Sequence, residues 1–243
     1  MSPPVFLAST EALEGERVLL DGPEGRHAAT VRRLRAGERV DLTDGAGLLA
    51  ECVVTTVDRA SLTLDVLARH REPPPRPRLV VVQALPKGDR GELAVETMTE
   101  VGVDEIVPWS AARCVTQWRP ERREKALGRW RATAREAGKQ ARRSRLPHVA
   151  DLASTARVAE RLAAASLALV LHEEADAPLS AVEPPADGEI VLVVGPEGGI
   201  TGEELERLGA AGGRPTRLGP TVLRTSTAGV AAAAVLLAAT GRW

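Results

Sequence analysis

Residues 190–239, IVLVVGPEGGITGEELERLGAAGGRPTRLGPTVLRTSTAGVAAAAVLLAA, constrain the fold of this chain more than any other segment. The apolar run 190–194 has strand character and enters Gly195-Pro-Glu-Gly-Gly199. Thr201-Gly-Glu-Glu204 then has the spacing of a capping box, in which a threonine hydroxyl and a glutamate three residues on each accept the other's backbone N–H and so fix a helix start. A second short strand and its loop end in Leu218-Gly219 and Leu223-Arg224-Thr225, directly before a long Ala-rich helix. Two irregular loops that each open a helix can form one pocket built largely of main-chain amides and carbonyls.

The first of these loops excludes some ligand classes and leaves others open. No Gly-Lys-Ser/Thr follows, so it is not a Walker A loop, and the glycine spacing differs from that of a dinucleotide fingerprint. Glycines permit positive φ and close approach of a ligand to the backbone. A neutral adenine edge can be read by such backbone groups without a phosphate-binding lysine. The same glycines are equally consistent with a simple turn.

A boundary lies at Arg71-Glu-Pro-Pro-Pro-Arg-Pro-Arg78, where four prolines in eight residues disallow a helix or central strand and favour a stiff linker. Before it, β-like segments at 17–20, 39–42, 49–57 and 62–67 alternate with turn signals, Asp44-Gly45 among them, and a short helix is expected at 27–34. This predicts a small β-barrel domain over 1–72. After it, strands expected at 79–84, 103–107, 167–171 and 190–194 alternate with helices, one at 92–101 capped by Gly102. A second helix is expected over 121–143: Leu127, Trp130, Ala134, Ala137 and Ala141 follow a helical period, and Lys125, Arg135, Lys139 and Arg143 fall opposite. The second domain, 73–243, is therefore expected to be α/β with a mostly parallel sheet.

Charge is more informative in its distribution than in its total. Residues 113–145 hold 12 Lys or Arg against 3 Glu, a surplus of +9, so the rest of the chain must sum to −10 to give the net −1. A cationic island on an acidic body suits a face that meets a polyanion, and a solvated helix face is the plainer reading. On the first reading Arg135, Lys139 and Arg143 meet phosphates. Phe6 is the only phenylalanine and tyrosine is absent, which argues against extensive stacking of bases on aromatic rings. Cys52 and Cys114 are too few for a disulfide framework or a metal site, and His27, His70, His148 and His172 follow no ligand spacing. No secretory signal or membrane-spanning run is present, and the expected location is the cytoplasm.

Beyond these local signals, five stretches occur in the order found in one family: RHAATVRRLRAGERVDLTDGAG, PKGDRGELAVETMTEVGVDEIVPW, REAGKQARRSRLPHV, GPEGG and LGPTVLRTSTA. In these the chain resembles the RsmE-type 16S ribosomal RNA uridine-N3 methyltransferases of the SPOUT superfamily, over nearly its whole length and least from 151 to 187. The resemblance implies a PUA-like β-barrel, a C-terminal α/β domain with a trefoil knot, a homodimer and S-adenosylmethionine as cofactor, and the cysteine and histidine spacing above adds the expectation of no metal. It implies a cofactor pocket made by Leu171, His172, Gly195, Pro196, Glu197, Gly198, Gly199, Leu218, Gly219, Leu223, Arg224, Thr225 and Ser226. Arg224 is the candidate catalytic residue, and bracing of the knot through carbonyls is its alternative task. Lys87, Arg113, Gln140 and Arg143, with Arg26 and Arg33 on the barrel, are the implied RNA contacts. The implied substrate is a uridine near the 3′ end of 16S ribosomal RNA, free or within the 30S subunit. One departure stands out: the family's usual LRTETA reads LRTSTA here, so Ser226 replaces a carboxylate. Thr225 or Ser226 is then expected to cap the final helix. Two further readings fit the same residues: a SPOUT enzyme acting elsewhere, such as on a tRNA ribose 2′-O, and a non-catalytic RNA-binding protein of ribosome assembly.

Overall fold

The computed structural model describes residues 2–243. Residue 1, the start of the expected barrel domain, lies outside the described residues. Contacts divide the chain into two compact units, one of residues up to Pro74 together with Gly138–Leu146, the other of Pro75–Ala137 and Pro147–Trp243.

The first unit contains β1 (Val5–Leu7), α1 (Thr10–Glu14), β2 (Arg17–Leu20), α2 (Gly22–Arg26), β3 (Arg39–Thr43), β4 (Leu48–Val57) and β5 (Leu62–Arg71). Its five strands form one sheet in the order β1-β3-β4-β5-β2, antiparallel except for the β1–β3 pair. Alternation along β4 and β5 sends Leu48, Ala50, Cys52, Val54, Leu62 and Leu64 into a core shared with Phe6 and Leu13. The helix expected at 27–34 begins earlier: α2 runs into a π turn at His27–Val31. Gly22, Pro23 and Gly25 read as helix breakers, yet Pro23 occupies the first turn, where its missing N–H costs nothing. Gly25 is required there, because a Cβ would stand 2.4 Å from the Leu20 carbonyl oxygen.

The second unit contains β6 (Arg78–Ala84), α3 (Arg90–Val101), β7 (Glu105–Trp109), α4 (Pro120–Gln140), β8 (His148–Val149), α5 (Thr155–Ala164), β9 (Leu167–Leu171), β10 (Glu189–Val194), α6 (Gly202–Ala210), β11 (Arg214–Thr216) and α7 (Thr225–Ala239). The last three residues of α4 cluster with the first unit. All six strands are parallel, in the order β11-β9-β10-β6-β7-β8. From β6 the chain winds outward to one side through β7 and β8, and from β10 outward to the other through β11. The winding therefore reverses between β6 and β10, and in open parallel sheets the crevice beyond the carboxyl ends at such a reversal is where ligands bind. Strands covered on both faces need continuous apolar runs, and β6, β9 and β10 supply them as LVVVQA, LALVL and IVLVV. In this layered core α3 packs on α7, and α5 on α6. Gly102 caps α3 in the left-handed conformation at φ 108°, as expected.

Two boundaries differ from expectation. The expected strand 103–107 runs two residues later: the Val103 N–H closes the end of α3 onto the Met98 carbonyl (3.0 Å), and Asp104 bonds Leu79 through its own N–H (3.0 Å) and its carboxylate (2.8 Å) ahead of the regular ladder. The helix expected to reach 143 ends at Gln140, with Ala141 exposed and Arg142 left-handed at φ 58°. By its contacts Gly138–Leu146, which lies within the expected span 73–243, clusters with the first unit. There the Ser144 carbonyl accepts from Thr43 Oγ1 (2.9 Å) and the Gly47 N–H (3.0 Å), and the Leu146 N–H reaches the Gly45 carbonyl (2.9 Å). Gly47, at φ 107°, leaves room for the Arg145 guanidinium where a Cβ would be.

Candidate functional site

The loops leaving β6, β7, β9, β10 and β11 gather at the carboxyl edge of the parallel sheet, and those leaving β6, β7 and β10 are tied to one another by side chains. Glu197 of the GPEGG loop accepts the Lys87 N–H (3.2 Å) across the β6–β10 crevice. Arg113, on the loop after β7, donates to the Gly198 carbonyl (3.2 Å). Thr116 Oγ1 donates to the Pro86 carbonyl (2.7 Å). Glu204, 6% exposed, completes the hub: its two carboxylate oxygens accept from the Ala112 N–H (2.9 Å), Thr155 Oγ1 (3.0 Å), and the Thr201 N–H (3.2 Å) and hydroxyl (3.1 Å). The capping box legible at Thr201 and Glu204 thus does a second task, clamping the β7 loop beside the GPEGG loop. Nothing in the local spacing signals that task, because Ala112 and Thr155 are remote in sequence.

This hub changes the meaning of two glycines. A Cβ on Gly198 would stand 3.0 Å from Arg113 Cβ and 3.1 Å from its carbonyl oxygen, so the missing side chain of Gly198 makes room for Arg113. Gly199 is left-handed at φ 74° and exposed, and its N–H closes a turn onto the Pro196 carbonyl (2.9 Å). Of the other residues in this loop, Pro196 is buried and Gly195 half-buried. Leu171 and His172 are half-buried at the end of β9, where the His172 N–H reaches the Thr216 carbonyl (3.1 Å) and joins the β9 and β11 loops.

The segment after β11 has a different character. Residues 218–223 make no backbone hydrogen bond with any other described residue. Leu218 and Gly219 are half-buried, and a Cβ on Gly219 would meet nothing within 4 Å. Main-chain donors and acceptors at a sheet edge are normally paired or solvated, and here a run of them borders open space. Leu223 is 40% exposed.

Arg224 follows as the N-cap of α7, at φ −67° and ψ 149°. Its carbonyl accepts from the Thr227 and Ala228 N–H groups (both 2.9 Å), while its exposed guanidinium makes no hydrogen bond or ion pair among the described residues. Bracing through carbonyls is therefore not what its side chain does. Thr225 and Ser226 do not cap the helix either: both already belong to its first turn, and no side-chain cap bond forms. A cap must have extended backbone with its hydroxyl ahead of the helix, and that position belongs to Arg224. Both hydroxyl-bearing residues are buried against the sheet.

Among the expected RNA contacts, Arg26, Arg33, Lys87, Arg113, Arg135 and Gln140 are exposed and Arg143 is half-buried. Lys139 is the exception. It is 7% exposed, pairs with Glu24 Oε1 at 2.8 Å and lies 5.9 Å from the Phe6 ring centroid. The charge pattern of α4 placed Lys139 on the solvated face, but the first unit encloses this end of the helix. Cys114 is buried behind the hub, and desolvation, with help from the Glu197 and Glu204 carboxylates, raises its thiol pKa, which leaves it inert. Among the described residues no three His, Cys, Asp or Glu side chains are placed to hold a metal ion, and no helix is long and apolar enough to cross a membrane.

This combination defines a class: an RNA methyltransferase domain, matched by its family model over residues 72–237, preceded by an RNA methyltransferase PUA domain, matched over 20–67. The chain is 49% identical to the ribosomal RNA small subunit methyltransferase E of Mycobacterium tuberculosis, over 98% of this chain and 93% of that one. It is 30% identical to the protein of that name from Bacillus subtilis, over 92% and 91%. The chain belongs to the ribosomal RNA small subunit methyltransferase E family. Among solved structures it resembles a methyltransferase from Legionella pneumophila with bound cofactor SAM (27% identity, TM-score 0.85, 98% of both chains). It also resembles ribosomal RNA small subunit methyltransferase E from Neisseria gonorrhoeae bound to S-adenosyl methionine (26% identity, TM-score 0.84, 98% of both chains).

Proposed function

We propose that this protein transfers a methyl group from S-adenosylmethionine to N3 of a uridine near the 3′ end of 16S ribosomal RNA, as a cytoplasmic homodimer. The observation that carries the reading is the run of unpaired backbone at residues 218–223, bordering open space at Gly219 and ending in the unpartnered Arg224 guanidinium. Such a strip fits a ligand read by its neutral edges: main-chain N–H and C=O groups of 218–223, with the GPEGG loop and the backbone around His172, would hold the cofactor. When bound, the cofactor supplies an electrophilic methyl group.

Uridine N3 carries a weakly acidic imide proton, and its removal leaves negative charge on O2 and O4. A guanidinium presents planar paired donors to such oxygens, and one preorganised donor of this kind is typically worth about 10²–10³ in rate. Arg224 is positioned for that task by the start of α7, and Ser226 offers no carboxylate base, so water takes the proton. Arg113, held by Gly198 and the Glu204 clamp, and Lys87 supply positive charge beside the crevice for RNA phosphates.

The homodimer reading is supported by α7. Its buried face is Thr225, Ser226, Gly229, Ala232, Ala233, Leu236 and Leu237, yet the opposite stripe of Val230, Ala231, Ala234 and Val235 is also apolar. A helix apolar all round is normally covered all round, and a second copy of the chain covers this one.

The test is methyl transfer by purified protein to 30S subunits and to free 16S RNA from cells lacking the modification, followed by mass spectrometry of the nucleosides. 3-Methyluridine is the expected product. A ribose-methylated nucleoside moves the enzyme to another chemistry, and no transfer to either substrate refutes the activity.

A further inference from the structure

Gln83 is the penultimate residue of β6, at the centre of the sheet, and stands level with Val194 of β10 and Pro108 of β7. Its neighbours along the strand are Leu, Val and Ala, and its own side chain is fully buried. Nε2 donates to the Ala84 carbonyl (3.0 Å) and to the carbonyl of Thr225 (3.2 Å), the first residue of α7. Oε1 has no partner, the one such buried side-chain atom among the described residues. The amide is accommodated by a second feature: a Cβ on Gly229 would stand 3.2 Å from Oε1 and 2.9 Å from Met98 Sδ. A buried acceptor left unpaired costs stability, and an apolar residue of the same shape would avoid that cost. What the amide supplies in return is its donor to Thr225.

We propose that Gln83 is a positioning residue for methyl transfer: it fixes the first turn of α7 against the carboxyl end of β6, and so sets where Arg224 stands relative to the cofactor-binding strip 218–223. The inference rests on the reading that this strip and Arg224 form the reaction site. Local strain or unmet polarity accepted next to a reacting centre is a recurring cost of preorganisation, and misplacement of a reacting group by about 1 Å can lower a rate on the order of 10²-fold.

The test uses Gln83→Met in the full chain with 30S subunits, scored by single-turnover rate, cofactor affinity by calorimetry, and thermal midpoint. The expected result has opposite signs. The midpoint equals or exceeds that of the wild type, cofactor affinity changes less than threefold, and the rate falls about tenfold or more, approaching the 10²-fold of a misplaced group. Gly229→Ala approaches the same contact from the other side and leaves every hydrogen-bonding group in place. Its Cβ forces Met98 and the Gln83 amide to shift, so turnover should slow, and the helix propensity it adds offsets part of the packing cost. A Gln83→Met enzyme with wild-type rate overturns the proposal, as does one whose midpoint and rate fall together, since the amide is then a brace for the fold. An inactive wild-type protein is distinguishable from both, because it removes the reaction itself.

Discussion

Arg224 has extended backbone, an exposed guanidinium and no side-chain partner among the described residues, one position before a helix whose first turn is buried. A residue so placed contributes little to folding, and its substitution should separate chemistry from stability. Arg224→Lys keeps the charge but loses the planar fork. Turnover on 30S subunits is expected to fall on the order of 10²-fold, with thermal midpoint and cofactor affinity unchanged. A parallel loss of all three would return Arg224 to the role of a structural brace. At this scale the sequence was readable where a residue acts through its own backbone and opaque where it acts through a remote neighbour. Gly102 and the Thr201–Glu204 capping box were legible from spacing alone. The reason for Gly198 was not, because it is the side chain of Arg113, from another strand's loop. Gln83 carried a visible signal, a polar residue ending a buried apolar strand, but only the fold shows that it meets Thr225.

Helix α4 illustrates how a periodic pattern can place an element correctly and still misassign one face. Leu127, Trp130 and Ala134 are buried as their spacing requires, and Arg135 is exposed, but Lys139, one turn on, is buried against Glu24 and Phe6. Helical period fixes which residues share a face, whereas what covers that face is decided by segments distant in sequence. The two residues should therefore behave oppositely. Lys139→Ala removes the ammonium partner of the half-buried Glu24 carboxylate and should cost about 1–3 kcal/mol in urea denaturation. Arg135→Ala should leave stability unchanged and lower the slope of log K against log salt for single-stranded RNA by about 0.7 if it meets a phosphate. Equal stabilities for the two variants would contradict the burial of Lys139. The amino ends of β6, β7 and β10 hold another element-scale feature. Glu105 receives a bidentate pair of bonds from Arg161 (2.7 and 2.9 Å), beside Arg78 and His148, and Arg161 also bonds Glu189 (3.0 and 2.9 Å). Burial alone would raise the Glu105 pKa, but the hydrogen bonds and charge of Arg161, with Arg78 and His148, hold it below the ordinary value of 4.5. A depressed folded pKa contributes stability above the unfolded value and loses it as pH falls through the folded one. The wild type should therefore lose stability steeply below pH 4.5. Glu105→Gln should be less stable at pH 7 and show a shallower acid slope in chemical denaturation across that range. An unchanged slope would mean the cluster does not couple folding to protons.

At the scale of the molecule, the division into a barrel-like sheet and a parallel α/β sheet followed from the proline-rich stretch at 71–78 and from the change in hydrophobic period across it, but the placement of Gly138–Leu146 with the first unit did not. That segment is held by backbone bonds to Gly45 and Gly47 and by the Thr43 hydroxyl, from residues about a hundred positions earlier, and no local pattern announces such a pairing. Helix α7 was similarly opaque in one respect: apolar on every side, it has no amphipathic signal to say which face meets its own sheet. The structure supplies the answer by burying Gly229, Ala232, Ala233, Leu236 and Leu237, which leaves a stripe at Val230, Ala231, Ala234 and Val235 with the same chemistry and only partial cover within the chain. If that stripe is the contact between two copies, a single charge at its middle should divide them, because burying an unpaired carboxylate is far costlier than exposing alanine to water. Ala234→Glu should sediment near the chain mass of 25.7 kDa, against about twice that mass for the wild type. Its thermal midpoint should then become independent of protein concentration, whereas that of the wild type rises with concentration as expected when folding and association are linked. A wild type that sediments at the chain mass, or an Ala234→Glu variant that remains dimeric, would place the subunit contact elsewhere and leave α7 as a helix whose apolar outer face has another occupant.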